Sequence, residues 1–186
     1  FKNKNFNFSV LQIDAHSDLR DEFQGTKYHH GCVMRRVRNL ISSVVQVGIR
    51  SMSKEEADYI ETRKINNIFY HPDLPLEKII AALKENVYLT LDLDALDPSI
   101  MPSVGTPEPN GLSWQEAIDL LKKVAQERKI IGADVVELSP IPGQISPDFL
   151  AAKLAYKIIN FLLEKKQELK PEPKTDLKLE EKRDLS

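Results

Sequence analysis

Two short runs in this 186-residue chain place acidic side chains where an apolar strand is ending. The first is Val10-Leu11-Gln12-Ile13-Asp14-Ala15-His16-Ser17-Asp18. The second is Val87-Tyr88-Leu89-Thr90-Leu91-Asp92-Leu93-Asp94-Ala95-Leu96-Asp97-Pro98. If extended geometry continues, the two-residue period puts Asp14, His16 and Asp18 on one side and pairs Asp92 with Asp94. Buried carboxylates are costly unless a partner compensates them. Neither run carries a Lys or Arg before Arg20, so a divalent cation is the economical partner. Carboxylates with one imidazole form a mainly hard oxygen set, which favours manganese, magnesium or iron over thiolate-type zinc. A single Asp-x-Asp at a strand end is often only a loop start, and Asp-Ala-His-Ser-Asp alone can be a capping cluster. The two together, in strands of matching character, point to metal. Asp97, before Pro98, reads as a turn or outer residue rather than a ligand.

The elements that must position these groups alternate along the chain. Strands are expected at Val10–Asp14, Ser43–Ile49, Asn67–Tyr70, Val87–Asp92 and Ala133–Leu138. Helices are expected at Val33–Leu40, Lys54–Arg63, Leu76–Glu85, Trp114–Arg128 and from about Pro147 to Glu164. Ser113 with Glu116 gives the Ser-x-x-Glu capping-box pattern, and Ser146 before Pro147 reads as an N-cap ahead of a first-turn proline. The strands are apolar on both sides, as when helices cover both faces of a parallel sheet. The expected fold is therefore a three-layer α/β/α domain with a mainly parallel sheet. In such sheets ligands bind outside the carboxyl ends of the strands. Asp14, Asp92 and Glu137 all fall where their strands finish, beside a loop, Asp97–Leu112, with four prolines and two glycines.

Composition bounds the rest. Lys and Arg number 26 against 28 Asp and Glu, a net charge of −2, which argues against a nucleic-acid protein. No apolar run reaches the roughly 18 residues a membrane span needs. The lone Cys32 excludes an internal disulfide and a cysteine-based zinc cluster and reads as a small buried residue. A reducing cytoplasm is the expected home. Residues 1–167 read as the folded unit. Glu168–Ser186, rich in Lys and Glu with Pro171 and Pro173, reads as a disordered or marginally helical tail.

Beyond this bottom-up reading, the motifs Asp14-Ala15-His16-Ser17-Asp18 and Asp92-Leu93-Asp94-Ala95-Leu96-Asp97-Pro98 resemble those of the ureohydrolase family, which contains arginase and agmatinase. The resemblance continues through Ser103–Pro109 and Val135–Pro140 and covers about residues 8 to 163. The segments Asp18–Phe23 and His30–Arg36 look more like an agmatinase than an arginase. It implies an arginase- or deacetylase-like fold and two Mn²⁺ ions held by Asp14, His16, Asp18, Asp92 and Asp94, with Asp14 and Asp92 bridging. His30 would move a proton near the leaving amine, and Glu137 would grip the guanidinium. The substrate would be a small guanidino compound, agmatine before guanidinobutyrate or arginine, and the assembly a trimer or hexamer. The family also draws a ligand from an upstream Gly-Gly-Asp-His motif, which nothing before Asp14 matches. The chain is thus expected to be the C-terminal portion of such a domain.

Other readings stay open. A deacetylase-like amidohydrolase binding a single zinc would share the Asp-x-His motif, but it needs neither Asp18 nor Asp94. A dehalogenase-type phosphatase would use Asp92 and Asp94, but Ala95-Leu96 stand where its Thr or Val is expected. An inactive, structurally competent module is the non-enzyme reading. By spacing alone His30 fits a cap or surface residue, with His29 as competitor for its role. His71 reads as a loop residue, and Trp114 as packing a helix start onto the sheet.

Overall fold

The computed structural model describes residues 7–167; the charged tail expected at Glu168–Ser186 lies outside the described residues. Five β-rich runs form strands: β1 (Ser9–Ile13), β2 (Val44–Ile49), β3 (Ile68–Tyr70), β4 (Asn86–Asp92) and β5 (Lys129–Val136). Alternating with them are helices α1 (Val33–Leu40), α2 (Lys54–Arg63), α3 (Leu76–Ala82), α4 (Trp114–Glu127) and α5 (Ile145–Gln167). The strands make one fully parallel sheet in the order β3-β2-β1-β4-β5, with helices on both faces, as the sequence leads one to expect.

That order creates a switch point. From β1 the chain winds outward through β2 and β3, then crosses back to place β4 on the other side of β1. The connections leaving β1 and β4 diverge, opening a crevice at their carboxyl ends, where ligands of open parallel sheets bind. Ile13 is paired with Leu91, so Asp14 and Asp92 leave the sheet side by side.

The alternation of side chains sorts the two faces. Leu11, Ile13, Val45, Val47, Leu89 and Leu91 point into the main core, closed by α3, α4 and α5. Val10, Val44 and Ile49 point the other way, against Met34 and Val37 of α1 and Tyr59 and Ile60 of α2. This second layer packs on the β1–β3 side. Beyond it, Tyr88, Thr90, Asp134 and Val136 of β4 and β5 line the open crevice. The side chains of Tyr88 and Thr90 donate to the two oxygens of Asp134 at 2.8 and 2.7 Å. Among the described residues no helix is long and apolar enough to cross a membrane.

Element boundaries depart from the sequence expectation where local signals competed. β5 begins at Lys129, four residues earlier than expected, and stops at Val136. Gly132, inside the added stretch, allows close approach, since a Cβ there would stand 3.0 Å from the Tyr88 ring. α5 starts at Ile145, so Ser146 is inside the first turn rather than its cap, and Pro147 sits where a missing N–H costs little. α3 ends at Ala82, short of Glu85. The capping box of Ser113 and Glu116 forms as expected. Ser53 and Glu56 form a second one at the start of α2. Trp114, the first residue of α4, packs against the main core.

Arg50, just after β2, secures the loop between β4 and α4. Its Nε donates to the carbonyl of Pro109 at 3.0 Å, and Nη2 donates to those of Asp94 (2.7 Å) and Glu108 (2.9 Å). Nη1 donates to Gly48 and Ala95 at 3.2 and 3.3 Å. All five guanidinium hydrogens are thereby committed to backbone oxygens. Asp97 holds the same loop, accepting from the N–H of Ser99 and of Gly111; it is a turn residue, as its place before Pro98 suggests. Gly111 is required here, because a Cβ would lie 2.6 Å from the Asp97 nitrogen and 2.7 Å from Arg50 Nη2. Gly111→Ala is therefore expected to cost about 1–3 kcal/mol through overpacking, checked by denaturant unfolding; unchanged stability would mean the loop yields freely.

Candidate metal centre

The two acidic motifs share one local device. The Oδ1 of Asp14 accepts from the N–H of His16 at 2.6 Å, and the Oδ1 of Asp92 accepts from the N–H of Asp94 at 2.9 Å. Each first aspartate thus caps its own turn by bonding two residues onward. The extended continuation expected from the sequence does not occur. β1 stops at Ile13, Asp18 adopts φ +54°, and Leu93–Ala95 is a short 3₁₀ turn. The side chains still converge, but through tight turns rather than strand alternation. The motifs are also bonded to each other, since the Ala15 N–H donates to Asp94 Oδ1 at 3.1 Å.

Asp14, His16 and Asp94 each present a ligand atom within 4.8 Å of the others. His16 Nδ1 lies 2.9 Å from Asp94 Oδ2 and 3.6 Å from Asp14 Oδ1, and His16 Nε2 lies 3.6 Å from Glu108 Oε1. Asp18 and Asp92 line the same crevice and act electrostatically on this cluster. Asp14, Asp92 and Asp94 are only 3, 8 and 2% exposed. Among the described residues, no Lys or Arg forms an ion pair with these carboxylates; His16 alone does so with Asp14 and Asp94. Such a concentration of buried acceptors, with His16 their one basic partner among the described residues, fits one or more divalent cations with oxygen-rich coordination.

Without a cation, protons must take its place. Burial and the neighbouring Asp14 push the carboxyls of Asp18 and Asp92 up to about 9. Burial likewise raises Asp14 to about 6. Bonds to Asp14 and then Asp94 raise His16 to about 11. Asp94 goes the other way: its burial is outweighed by the bond from His16, which holds it below the usual range.

The loop carrying the first motif is clamped by a residue that sequence reading overlooked. Glu56, 4% exposed, takes the Ser17 hydroxyl at 2.6 Å and the Leu19 N–H at 2.8 Å on Oε1. Its Oε2 accepts from the N–H and hydroxyl of Ser53. Burial pushes this carboxyl up, but the Ser17, Ser53 and Leu19 donors hold it below its ordinary value. One side chain therefore caps α2 and shapes the Asp14–Leu19 loop. Thr106, whose hydroxyl reaches Asp94 Oδ2 at 3.3 Å, was also unforeseen, as were Glu108, Arg50 and Asp134.

His30 and Glu137 stand on the rim of the crevice, which encloses about 830 Å³. Both are exposed. Glu137 follows β5 at φ +68°, a left-handed geometry costing on the order of 1–3 kcal/mol for a non-glycine residue. It turns beside Gly105, whose absent Cβ would lie 3.7 Å from Glu137 Oε2. His29 is the capping histidine: its Nδ1 accepts from the Gly31 N–H, and its ring packs on Phe23 and His30. Cys32 is buried, as expected. His71 follows β3, and its two ring nitrogens are buried without a hydrogen-bond partner among the described residues.

A parallel α/β sheet whose switch point gathers Asp-x-His-x-Asp and Asp-x-Asp is the architecture of an α/β protein with a candidate metal centre. Residues 2–160 match the Arginase family. The N(1)-aminopropylagmatine ureohydrolase of Synechocystis sp. is 41% identical over 160 residues, covering 83% of this chain and 52% of that protein. The agmatinase of Pyrococcus horikoshii is 34% identical, covering 81% and 54%. The crystal structure of the agmatine ureohydrolase of Thermoplasma volcanium superposes with a TM-score of 0.77 at 32% identity, covering 88% and 58%. This chain belongs to the arginase family. It spans about half the length of the curated relatives it matches.

The raised carboxyls and imidazole fix a pH dependence. Folded Asp14, Asp18 and Asp92 hold protons that the unfolded chain releases near pH 4, and His16 holds one released near pH 6.5 in the unfolded state. Their contribution is complete below those unfolded values and is lost as pH rises through the folded ones, about 6 to 11. Asp94 runs oppositely but titrates only at low pH. The metal-free chain should therefore melt at progressively lower temperature from pH 5 to pH 9, and added Mn²⁺ should flatten that slope. A melting temperature rising with pH without metal would contradict this assignment.

Proposed function

We propose that this chain carries most of a two-metal centre that hydrolyses a guanidino group to urea and an amine. Mn²⁺ is the proposed metal, and agmatine or its N(1)-aminopropyl derivative the proposed substrate. The observation that carries the reading is the buried acidic cluster of Asp14, His16 and Asp94, joined in one crevice by Asp18 and Asp92, with no Lys or Arg among the described residues paired to its carboxylates. The names of the relatives, agmatinase and N(1)-aminopropylagmatine ureohydrolase, support the substrate class.

In this reading Asp14, His16, Asp18, Asp92 and Asp94 would hold the ions, with Asp14 and Asp92 as the proposed shared carboxylates. When bound, two such ions would supply a water acidic enough to be a nucleophile near neutral pH. The guanidinium is a poor electrophile and must be fixed in place. Glu137, at the rim, accepts paired hydrogen bonds from its nitrogens, the planar geometry that suits a carboxylate. Val10, Met34 and Val136 in the crevice wall suit the aliphatic spacer beyond it. His30, exposed beside the committed His29, gives the departing nitrogen its proton. A single-zinc deacetylase-like centre is less well supported, because Asp18 and Asp94 both face this cluster and that chemistry leaves them idle.

The test is urea release by the Mn²⁺-loaded chain from agmatine, N(1)-aminopropylagmatine and arginine. Release from the first two and not from arginine is expected. Silence with all three at two bound ions per chain would sink the reading. Asp92→Asn should abolish turnover, and near-normal activity with full metal occupancy would remove its bridging role. Glu137→Gln should raise KM on the order of ten-fold or more, as for a lost charge-assisted bond, while bound manganese stays constant. Unchanged kinetics would refute that assignment.

A further inference from the structure

Two glutamines stand inside the apolar strands that lead to the cluster. Gln12 in β1 and Gln46 in β2 are almost fully buried, 2% and 0% exposed. Gln12 Nε2 donates to Asp14 Oδ2 at 2.7 Å and lies 3.4 Å from the His16 carbonyl. Gln12 Oε1 accepts from Gln46 Nε2 at 2.6 Å, and Gln46 Nε2 also donates to the Ser17 carbonyl at 2.8 Å. Gln46 Oε1 receives Nε and Nη2 of Arg38 at 3.3 and 2.9 Å.

The polarity of this chain is fixed at both ends by groups that cannot reverse. A guanidinium has hydrogens and no acceptor, so the Gln46 atom facing Arg38 must be oxygen. A carbonyl has no hydrogen, so the Gln46 atom facing Ser17 must be nitrogen. Gln12 must then turn its oxygen to Gln46 and its amide hydrogens to Asp14. The Asp14 carboxylate consequently receives one hydrogen bond on each oxygen, from Gln12 on Oδ2 and from the His16 N–H on Oδ1. A carboxylate oxygen has two lone pairs, so these two bonds leave a further one on each oxygen, on Oδ1 toward the His16 ring 3.6 Å away, and they set the carboxylate's orientation.

We propose that Arg38, Gln46 and Gln12 form a one-way amide chain that orients the Asp14 carboxylate for metal binding, Gln12 and Gln46 acting as positioning residues. The proposal rests on the reading of the cluster as a metal centre. Outer groups that hold a metal's ligands are worth roughly 10–100-fold in affinity. Gln46 is two links from the carboxylate, so it acts only through Gln12.

The test is titration of the full chain with Mn²⁺ alone, followed by the electron paramagnetic resonance of free and bound ion. Wild type, Gln12→Met, Gln46→Met and the double variant are compared, with metal-free melting temperatures measured alongside. Gln12→Met is expected to weaken binding on the order of ten-fold and Gln46→Met by less. The double variant should lose no more than Gln12→Met alone, the non-additivity of residues in series. Should Gln46→Met fail to fold, Arg38→Met replaces it, and Arg38→Lys, which still only donates, should restore wild-type affinity. Unchanged affinity in a folded Gln12→Met, or losses that multiply in the double variant, would overturn the chain while leaving the metal centre standing. Absence of Mn²⁺ binding by the wild type would overturn the metal centre itself and the proposal with it.

Discussion

Negative charge gathered at the carboxyl ends of two adjacent parallel strands is the constraint around which this fold is built. β1 and β4 are neighbours, in register at Ile13 and Leu91, and the residues that follow are Asp14 and Asp92. Two carboxylates leaving a sheet side by side repel each other, and burial denies them water. The surrounding structure answers with directed donors. Backbone N–H groups of Ala15, His16 and Asp94, the Gln12 amide and the Thr106 hydroxyl all converge on Asp14, Asp92 or Asp94. These soften the repulsion without adding a Lys or Arg, so the cluster remains a candidate cation site.

Rigidity around that cluster comes from three side chains that bond mostly to the loops. Arg50 gathers carbonyls from Gly48, Asp94, Ala95, Glu108 and Pro109. Glu56 gathers Ser17, Leu19 and Ser53. Gln46 ties Arg38 to Gln12 and Ser17. Each is at least partly buried and each uses most of its hydrogen-bonding capacity, so the loops that carry the ligands are held from behind. Such support is what an irregular backbone segment needs where geometry must be kept to fractions of an ångström. The strained φ of Asp18 and Glu137 fits the same picture.

The crevice is asymmetric. Its α1–α2 side is walled by packed apolar residues, whereas over β4 and β5 it is lined by Tyr88, Thr90, Asp134 and Val136. Half the length of the curated relatives lies beyond what this chain aligns with. Membership of the arginase family is secured by the extent of the match, 2–160.

Much was legible in the sequence because strong local patterns agreed with the global arrangement. Apolar runs separated by helix-like ones announced a parallel α/β sheet, and Asp-Ala-His-Ser-Asp with Asp-Leu-Asp pointed to a candidate cation site. The Ser113–Glu116 cap and the turn role of Asp97 followed from spacing alone. What escaped was whatever depends on partners distant in the chain. Lys129–Gly132 gave no clear strand signal, because Gly132 makes sense only beneath the Tyr88 ring. Glu56 looked like one charge among several on a helix until the fold brought Ser17 and Leu19 to it. Spacing assigned Asp18 and Asp94 to extended backbone, but hydrogen bonds closed by Asp14 and Asp92 turned both segments. The sequence by itself determined which side chains are gathered, since residue type and order are written there. Only the tertiary structure decided how they are oriented, because hydrogen-bond direction and burial exist only once residues far apart in the chain have been brought together.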